Sequence, residues 1–314
     1  MRVIFMGTPE FAVPSLERLI LDQYQVVSVY TQPDRAAGRG RSLVSSPVKR
    51  AALERNLPVL QPVNFRDKAA VAQLAELQPD VLVVAAFGQI LPQAVLDVPA
   101  HGCINIHPSL LPEFRGASPV AAAILAGKEF TGVSIMLLDR GMDTGPVLTR
   151  AQIPISASDT TGSLAGKLSR VAAGLLLEVL PRWVKGEITP QPQDEAAATY
   201  TRVLTKGEGE IDWQLPAGVI WRRVRAFHLW PGCYTRWLGK QFRIIEAVPL
   251  AGEGAGKAGE VIALNDEGGA VLGIGTGEGI LGVLRVQMEG KRVMSAAEFL
   301  RGQRQFIGAI LPSD

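Results

Sequence analysis

The sequence predicts an α/β protein in which a mostly parallel sheet domain is followed by a small C-terminal β-barrel domain. Three observations carry this prediction. Apolar runs at residues 3–6 and 24–30 flank a segment of helical spacing at residues 15–21, the order that makes a βαβ unit with a right-handed crossover. Residues 80–86 are apolar and β-branched without alternation, as a parallel strand covered on both faces requires. From Cys233 onward, short alternating runs at residues 234–238, 242–248, 259–264, 270–274 and 279–288 are separated by glycines, the pattern of a small barrel.

At 314 residues the chain suits two domains, and its 47% hydrophobic and 20% charged residues supply a sizeable core and exclude long disordered tracts. A formal charge of +2 excludes a nucleic-acid role resting on total charge and leaves one resting on where the charges sit. Cys103 and Cys233 show no metal or redox spacing, which fits a reducing cytoplasm. The N-terminal residues read directly into a strand without a signal-peptide pattern, and no window approaches the roughly 18 apolar residues of a membrane span, so a soluble cytoplasmic protein is expected.

The first strand ends in Gly7-Thr-Pro, and this single glycine lacks the Gly-x-Gly-x-x-Gly spacing that lets a pyrophosphate approach, which disfavours NAD. Residues 31–50 then hold Arg35, Arg39, Arg41, Lys49 and Arg50 against the single acid Asp34, a net charge of +4. Such a glycine-containing basic stretch is composed like a loop that meets phosphates, and equally like a solvated loop. Helical spacing returns at residues 67–77, ahead of the central strand at 80–86. Phe87, Gly88, Gln89, Ile90, Leu91 and Pro92 follow that strand, where open α/β sheets place their ligand crevices and where exposed backbone could bond a flat heterocycle.

Cys103-Ile-Asn-Ile-His107 reads as another strand, and an extended backbone points Asn105 and His107 to the same face. An asparagine amide can donate to a carbonyl oxygen and an imidazole can carry or take a proton near neutral pH, which is what acyl transfer needs; ordinary strand-end residues would look the same. Pro108 biases His107 toward extended geometry. A further strand at residues 133–138 leads into Asp139-Arg-Gly-Met-Asp-Thr-Gly145, where Asp139 and Asp143 are both candidates to orient a histidine and raise its pKa, and both are also common turn residues.

Residues 158–161 offer N-caps for a helix through Leu180 whose Leu164, Leu168, Val171 and Leu175 form a core stripe. Residues 190–208 lack a hydrophobic period and read as a linker between domains at 1–189 and 209–314. In the second region a helix at 217–226 carries Arg222, Arg223 and Arg225, and Gly273 to Gly279 is composed like a phosphate loop yet reads as a hairpin because no helix follows it. Ser295-Ala-Ala-Glu298 opens a last helix with a capping box.

Taken together, Gly7-Thr-Pro-Glu-Phe11, Gln32-Pro-Asp-Arg35, Ser46-Pro-Val-Lys49, Gly102-Cys-Ile-Asn-Ile-His107, Ser109-Leu-Leu-Pro112, Arg115-Gly116, Asp143-Thr-Gly145, Ile211-Asp-Trp213 and Met294-Ser-Ala296 resemble the methionyl-tRNA formyltransferase family from end to end. The Asn-x-His, Ser-Leu-Leu-Pro and Asp-Thr-Gly elements belong to formyltetrahydrofolate-using enzymes at large, while the basic loop and C-terminal region narrow the match. The resemblance implies a Rossmann-like catalytic domain and an OB-like tRNA-binding domain. It implies formyl transfer from 10-formyltetrahydrofolate, a co-substrate, to the α-amino group of methionine on initiator tRNA, by a monomeric enzyme. Asn105, His107 and Asp143 occupy the catalytic positions, with Asn105 and a protonated His107 on the oxyanion. Phe87 to Pro92, Asp139 and the wall formed by Ser109, Leu110, Leu111 and Pro112 would hold the folate. Arg35, Arg39, Arg41 and Lys49 would meet the tRNA. One departure is Pro108, which stands where glycine is common in the family.

The chain's three histidines, His101, His107 and His228, show no ligand-like clustering, so no metal is expected. Two other readings remain: a formyltransferase acting on a small amine, for which the basic loop and second domain would be superfluous, and a noncatalytic RNA-binding protein, which would have no reason to retain Asn105, His107 and Asp143 together.

Overall fold

Seven strands from the first half of the chain form one sheet. The structure, a computed structural model, describes residues 1–37, 42–251 and 257–313. In chain order the strands are β1 (Arg2–Gly7), β2 (Gln25–Tyr30), β3 (Arg35–Ala37), β4 (Ser42–Val44), β5 (Val59–Leu60), β6 (Val81–Ala85), β7 (Cys103–His107), β8 (Arg115–Gly116), β9 (Phe130–Leu137), β10 (Val147–Pro154) and β11 (Tyr200–Thr201). The helices are α1 (Val13–Leu21), α2 (Pro47–Leu53), α3 (Lys68–Glu76), α4 (Gln93–Leu96), α5 (Pro119–Leu125) and α6 (Thr161–Val184).

The main sheet runs β10-β9-β7-β6-β1-β2-β5. β5, β2, β1, β6 and β7 are mutually parallel, whereas β9 is antiparallel to both β7 and β10. The mostly parallel sheet expected from the sequence is therefore present, with a reversed strand at one side. Every residue of β6 and β7 is buried, which is why neither alternates. On one face Ile4, Met6, Leu82, Val84 and Phe87 pack with Phe65, Leu74 and Val95 into a single apolar layer. Capping fixes the helix starts: the Ser46 hydroxyl accepts from the Lys49 amide at 3.0 Å, and Asp67 accepts from the Ala69 amide at 2.9 Å.

Two elements depart from the sequence reading. α6 continues past Leu180, with Pro181 inside it, to Val184. Residues 190–208, expected as a linker, have ordered partners: Gln191 bridges Val147, and β11 pairs in parallel with β8 through Tyr200–Arg115 and Thr201–Gly116. That stretch is fixed by hydrogen bonds and not by an apolar stripe, so no hydrophobic period announces it.

By packing, the chain divides into a unit of Met1–Pro119, Phe130–Pro154 and Ala165–Thr201 and a unit of Val120–Glu129, Ile155–Leu164 and Arg202–Asp314. The second contains α7 (Ala217–Ala226), β12 (Cys233–Trp237), β13 (Lys240–Leu250), β14 (Val261–Glu267), β15 (Ala270–Gly275), β16 (Ile280–Met288), β17 (Met294–Ser295) and α8 (Ala296–Gly302). Its six-stranded antiparallel sheet has the order β12-β13-β16-β15-β14, with β17 on β16. The glycine-rich stretch from 273 to 279 joins β15 to β16 as a hairpin, Gly275 facing Ile280. Trp237, Phe242, Phe299 and Phe306 form an aromatic core with ring centroids 4.8–5.8 Å apart. The α7 arginines are partnered within this unit: Arg222 donates to the Leu125 carbonyl, Arg223 to that of Glu208, and Arg225 to those of Asp159 and Ser156.

Candidate active site

From β1 the chain builds outward through β2 to β5, then crosses back to place β6 on the other side of β1. Adjacent strands whose connections diverge leave a crevice at their carboxyl ends. Here the Thr8 hydroxyl and the Gln32 amide both donate to the Phe87 carbonyl, at 2.9 and 3.3 Å, tying the first two strand ends to the loop after β6. Ala86 enters that loop with φ of 47° and Gly88 with 83°. For a non-glycine residue the left-handed region costs on the order of 1–3 kcal/mol and persists where the surroundings enforce it.

A cleft of about 470 Å³ opens there, walled by the loop after β6, by Asn105 and His107 at the end of β7, and by the loop after β9. A neighbouring cleft of about 490 Å³ shares Ala86, Phe87 and Gly88 and is otherwise lined by Thr8, Gln32, Arg35 and residues 44–47. The β7 register sets the polar pair: Asn105 and His107 lie two residues apart on one face, opposite Met136 and Ser134 of β9. Both are more than nine-tenths buried.

Asp143 completes a cluster. Its Oδ2 lies 3.6 Å from His107 Nδ1 and accepts the Gly116 amide at 2.8 Å, and Asn105 Nδ2 lies 3.5 Å from its Oδ1. His107 Nε2 is 3.1 Å from the Phe114 carbonyl. A carbonyl only accepts, so the ring proton sits on Nε2, and the neutral imidazole turns a bare Nδ1 toward Asp143. Burial pushes the His107 pKa below its ordinary value; the Asp143 charge and the Phe114 carbonyl act upward without overcoming it. The carboxylate acts upward on the histidine, as the sequence reading has it, while desolvation of a ring with 4% exposure is the larger effect and sets the net direction.

Asp143 itself has φ of 55° and Phe114 has 59°, so two of the residues that face His107 hold left-handed backbones. What holds them comes from residues 191–201. Gln193 Nε2 donates to the carbonyls of Asp143 and Gly145 at 2.8 and 2.7 Å. The Phe114 amide donates to Thr199 Oγ1 at 2.8 Å. Arg115, with no exposed side-chain surface, grips Gln193, Glu195 and the Tyr200 hydroxyl, and holds the Glu195 carboxyl below its ordinary pKa. None of Gln193, Thr199 or Glu195 was singled out from the sequence. Their partners lie 48 to 85 residues away, and nothing in a polar stretch reports such contacts.

The comparisons with known proteins agree with this chemistry. A model of formyl transferases matches residues 1–180, and a model of the formyl transferase C-terminal domain matches residues 203–304. The methionyl-tRNA formyltransferase of Dehalococcoides mccartyi is 50% identical over 99% of this chain and 98% of its own length. That of Chloroflexus aurantiacus is 49% identical over 96% of this chain and 97% of its own. The chain belongs to the methionyl-tRNA formyltransferase family. Among solved structures, HypX from Aquifex aeolicus in complex with tetrahydrofolic acid shares the fold, with a TM-score of 0.63 and 22% identity, over 96% of this chain and 47% of its own.

Within this family member, the structure brings Asn105, His107 and Asp143 together and lines the same cleft with Phe87, Gly88, Gln89, Ile90, Leu91 and Asp139. Of the two candidate carboxylates, Asp143 faces the histidine, whereas Asp139 organises its own loop by accepting from the Gly141 amide and the Thr144 hydroxyl. Pro92 stands at the N-cap position just ahead of α4, outside the cleft lining. Ser109, Leu110, Leu111 and Pro112 lie behind the cleft and do not line it: Ser109 bonds the Glu113 carbonyl, and Leu111 packs on Met136 and Val147. Pro108 lines the cleft beside His107. Lys49 is committed to Asp34 at 2.6 Å and Gln61 at 2.8 Å, while exposed Arg35 bonds Gln32 at 3.2 Å. Arg39 and Arg41 lie outside the described residues. Among the described residues no group of three His, Cys, Asp or Glu side chains is placed to hold a metal, and no helix is long and apolar enough to cross a membrane.

Proposed function

We propose that this chain transfers the formyl group of 10-formyltetrahydrofolate to the α-amino group of methionine on initiator tRNA, in the cytoplasm and as a monomer. The observation that supports it best is the convergence of Asn105, His107 and Asp143 on one cleft, in a chain half identical over its whole length to methionyl-tRNA formyltransferases. The cleft suits a flat, polar-edged heterocycle: Leu91, Leu96, Ile106 and Leu138 offer apolar walls, and the buried Oε1 of Gln89 has no partner among the described residues.

Formyl-folate supplies an activated one-carbon acyl group. The chain's residues then handle charge and protons. Asn105 has two amide hydrogens, one toward Asp143 and one available to the formyl oxygen, where negative charge develops as the amine nitrogen bonds to the formyl carbon. His107, neutral with Nδ1 bare, takes the proton the amine releases, and the imidazolium is stabilised by Asp143. The same proton is returned to the departing folate nitrogen as the old carbon–nitrogen bond breaks. Arg35 and the unassigned Arg39 and Arg41 would meet tRNA phosphates, with the basic residues of 209–314 adding contacts, and the amine would enter past the neighbouring cleft that Arg35 lines.

The test is formylation of methionylated initiator and elongator tRNA beside glycinamide ribonucleotide and an amino sugar. Formylation of initiator tRNA above the elongator is the expected result. Activity on a small amine with none on either tRNA would overturn the proposal.

A further inference from the structure

We propose that Gln193, locked by Arg115, is the positioning residue that holds Asp143 in its left-handed backbone and thereby sets its carboxylate against His107. The inference rests on the catalytic reading above. It starts from the bond inventory of two side chains. An amide has two donor hydrogens and one oxygen with two lone pairs. Gln193 uses all four: Nε2 donates to the carbonyls of Asp143 and Gly145, and Oε1 accepts from Arg115 Nε at 3.1 Å and Nη2 at 3.0 Å. Guanidinium only donates, so the amide cannot be turned over without breaking all four bonds.

Arg115 is saturated in the same way. Of its five N–H groups, two go to Gln193, two to Glu195 at 2.7 and 2.9 Å, and one to the Tyr200 hydroxyl at 3.0 Å. A fully buried, fully bonded guanidinium is a rigid anchor. The loop it reaches through Gln193 needs one. Asp143 stands at φ of 55°, and its two carbonyl neighbours in the turn, its own and that of Gly145, are the groups that Gln193 clamps. The backbone on the other side of Arg115 completes the arrangement, since the Gly116 amide holds the Asp143 carboxylate directly. One arginine thus sets both the backbone and, through its successor, the side chain of the residue beside the histidine. Gln193 touches neither His107 nor the cleft, so its influence passes through Asp143.

Two measurements on the full chain test this. In the first, the imidazole of His107 is titrated by NMR in the wild type and in Gln193→Ala, without substrate. The groups facing the ring are the Asp143 carboxylate at Nδ1 and the Phe114 carbonyl at Nε2, while Arg115 is turned away into its own partners. If Asp143 relaxes away, its upward influence weakens, so the His107 pKa is expected to fall further, by about one unit, with His101 and His228 unmoved. An unchanged His107 value in folded Gln193→Ala overturns the inference. In the second, Gln193→Ala is expected to lower kcat about 10- to 100-fold with KM for both substrates unchanged, and to add less than about threefold in an Asp143→Ala background. An equal loss in both backgrounds assigns Gln193 a general structural role and overturns the inference too. Should the alanine variant not fold, Gln193→Asn, which keeps the amide but retracts it, carries both readouts with the same signs. A wild type that formylates only small amines would refute the proposed substrate and leave the titration standing.

Discussion

At the scale of single residues, the site depends on how burial treats two side chains. Asn105 is the amide donor aimed at the developing charge, so Asn105→Ala should lower kcat by roughly 100- to 1000-fold while folate binding, followed by fluorescence or calorimetry, changes little. His107 gives a pH signature whose sign follows from its environment. Its folded pKa lies below that of the unfolded chain because desolvation outweighs the Asp143 charge. The unfolded state therefore binds more protons between the two values, so this contribution to stability is complete above the ordinary histidine value and is lost as pH falls through that window. For catalysis, a base with a lowered pKa stays competent to lower pH, so the acid limb of kcat/KM should fall below about 6.5, the unperturbed histidine value. Activity that persists below that value and is instead lost as pH rises would mean that His107 works as a cation.

At the scale of elements, short pieces with few apolar residues hold the geometry. β8 is two residues long, yet it contains Arg115 and Gly116 and pairs with β11. Gly116 has φ of 105°, and a Cβ there would sit 2.4 Å from the Thr201 carbonyl oxygen. Gly116→Ala must therefore separate β8 from β11 and withdraw the amide from Asp143; destabilisation of about 2–4 kcal/mol is expected from denaturant unfolding, with kcat falling more than tenfold in the fraction that folds. The β3–β4 ribbon is anchored comparably. Asp34, at its base, accepts from Lys49 and from the Gln61 amide, and Gln61 also donates to the Gln32 carbonyl. Lys49 spends its charge on Asp34, whereas exposed Arg35 bonds the neutral side chain of Gln32. Arg35→Ala should weaken tRNA binding and reduce its salt slope by about one. Lys49→Ala should weaken binding by loosening the ribbon and leave that slope nearly unchanged. Equal slope changes would show that both side chains meet phosphates.

At the scale of the whole molecule, what the sequence revealed and what it hid divide along one physical line. Burial on two faces writes itself into composition, so β6 and β7 were readable, and the two-residue spacing of Asn105 and His107 followed from strand geometry alone. Edge position writes weakly: β10 ends the sheet with an exposed Arg150, Gln152 and Pro154, and residues 147–154 were not anticipated as a strand. Hydrogen bonds between residues far apart in sequence write nothing, which is why residues 190–201 looked like a linker and the support of Asp143 was invisible. Asn105, His107, Asp143, Arg115 and Gln193 all belong to the first unit, and the aromatic core of Trp237, Phe242, Phe299 and Phe306 belongs to the second. Phe299 is 3% exposed, and Phe299→Ala leaves a cavity costing about 3–5 kcal/mol. Measured below its melting temperature, this variant should raise KM for initiator tRNA several-fold with kcat close to that of the wild type, and the His107 titration should not move. A fall in kcat at unchanged KM, or a displaced His107 pKa, would mean that the second unit acts on the chemistry itself and not only on how the tRNA is held.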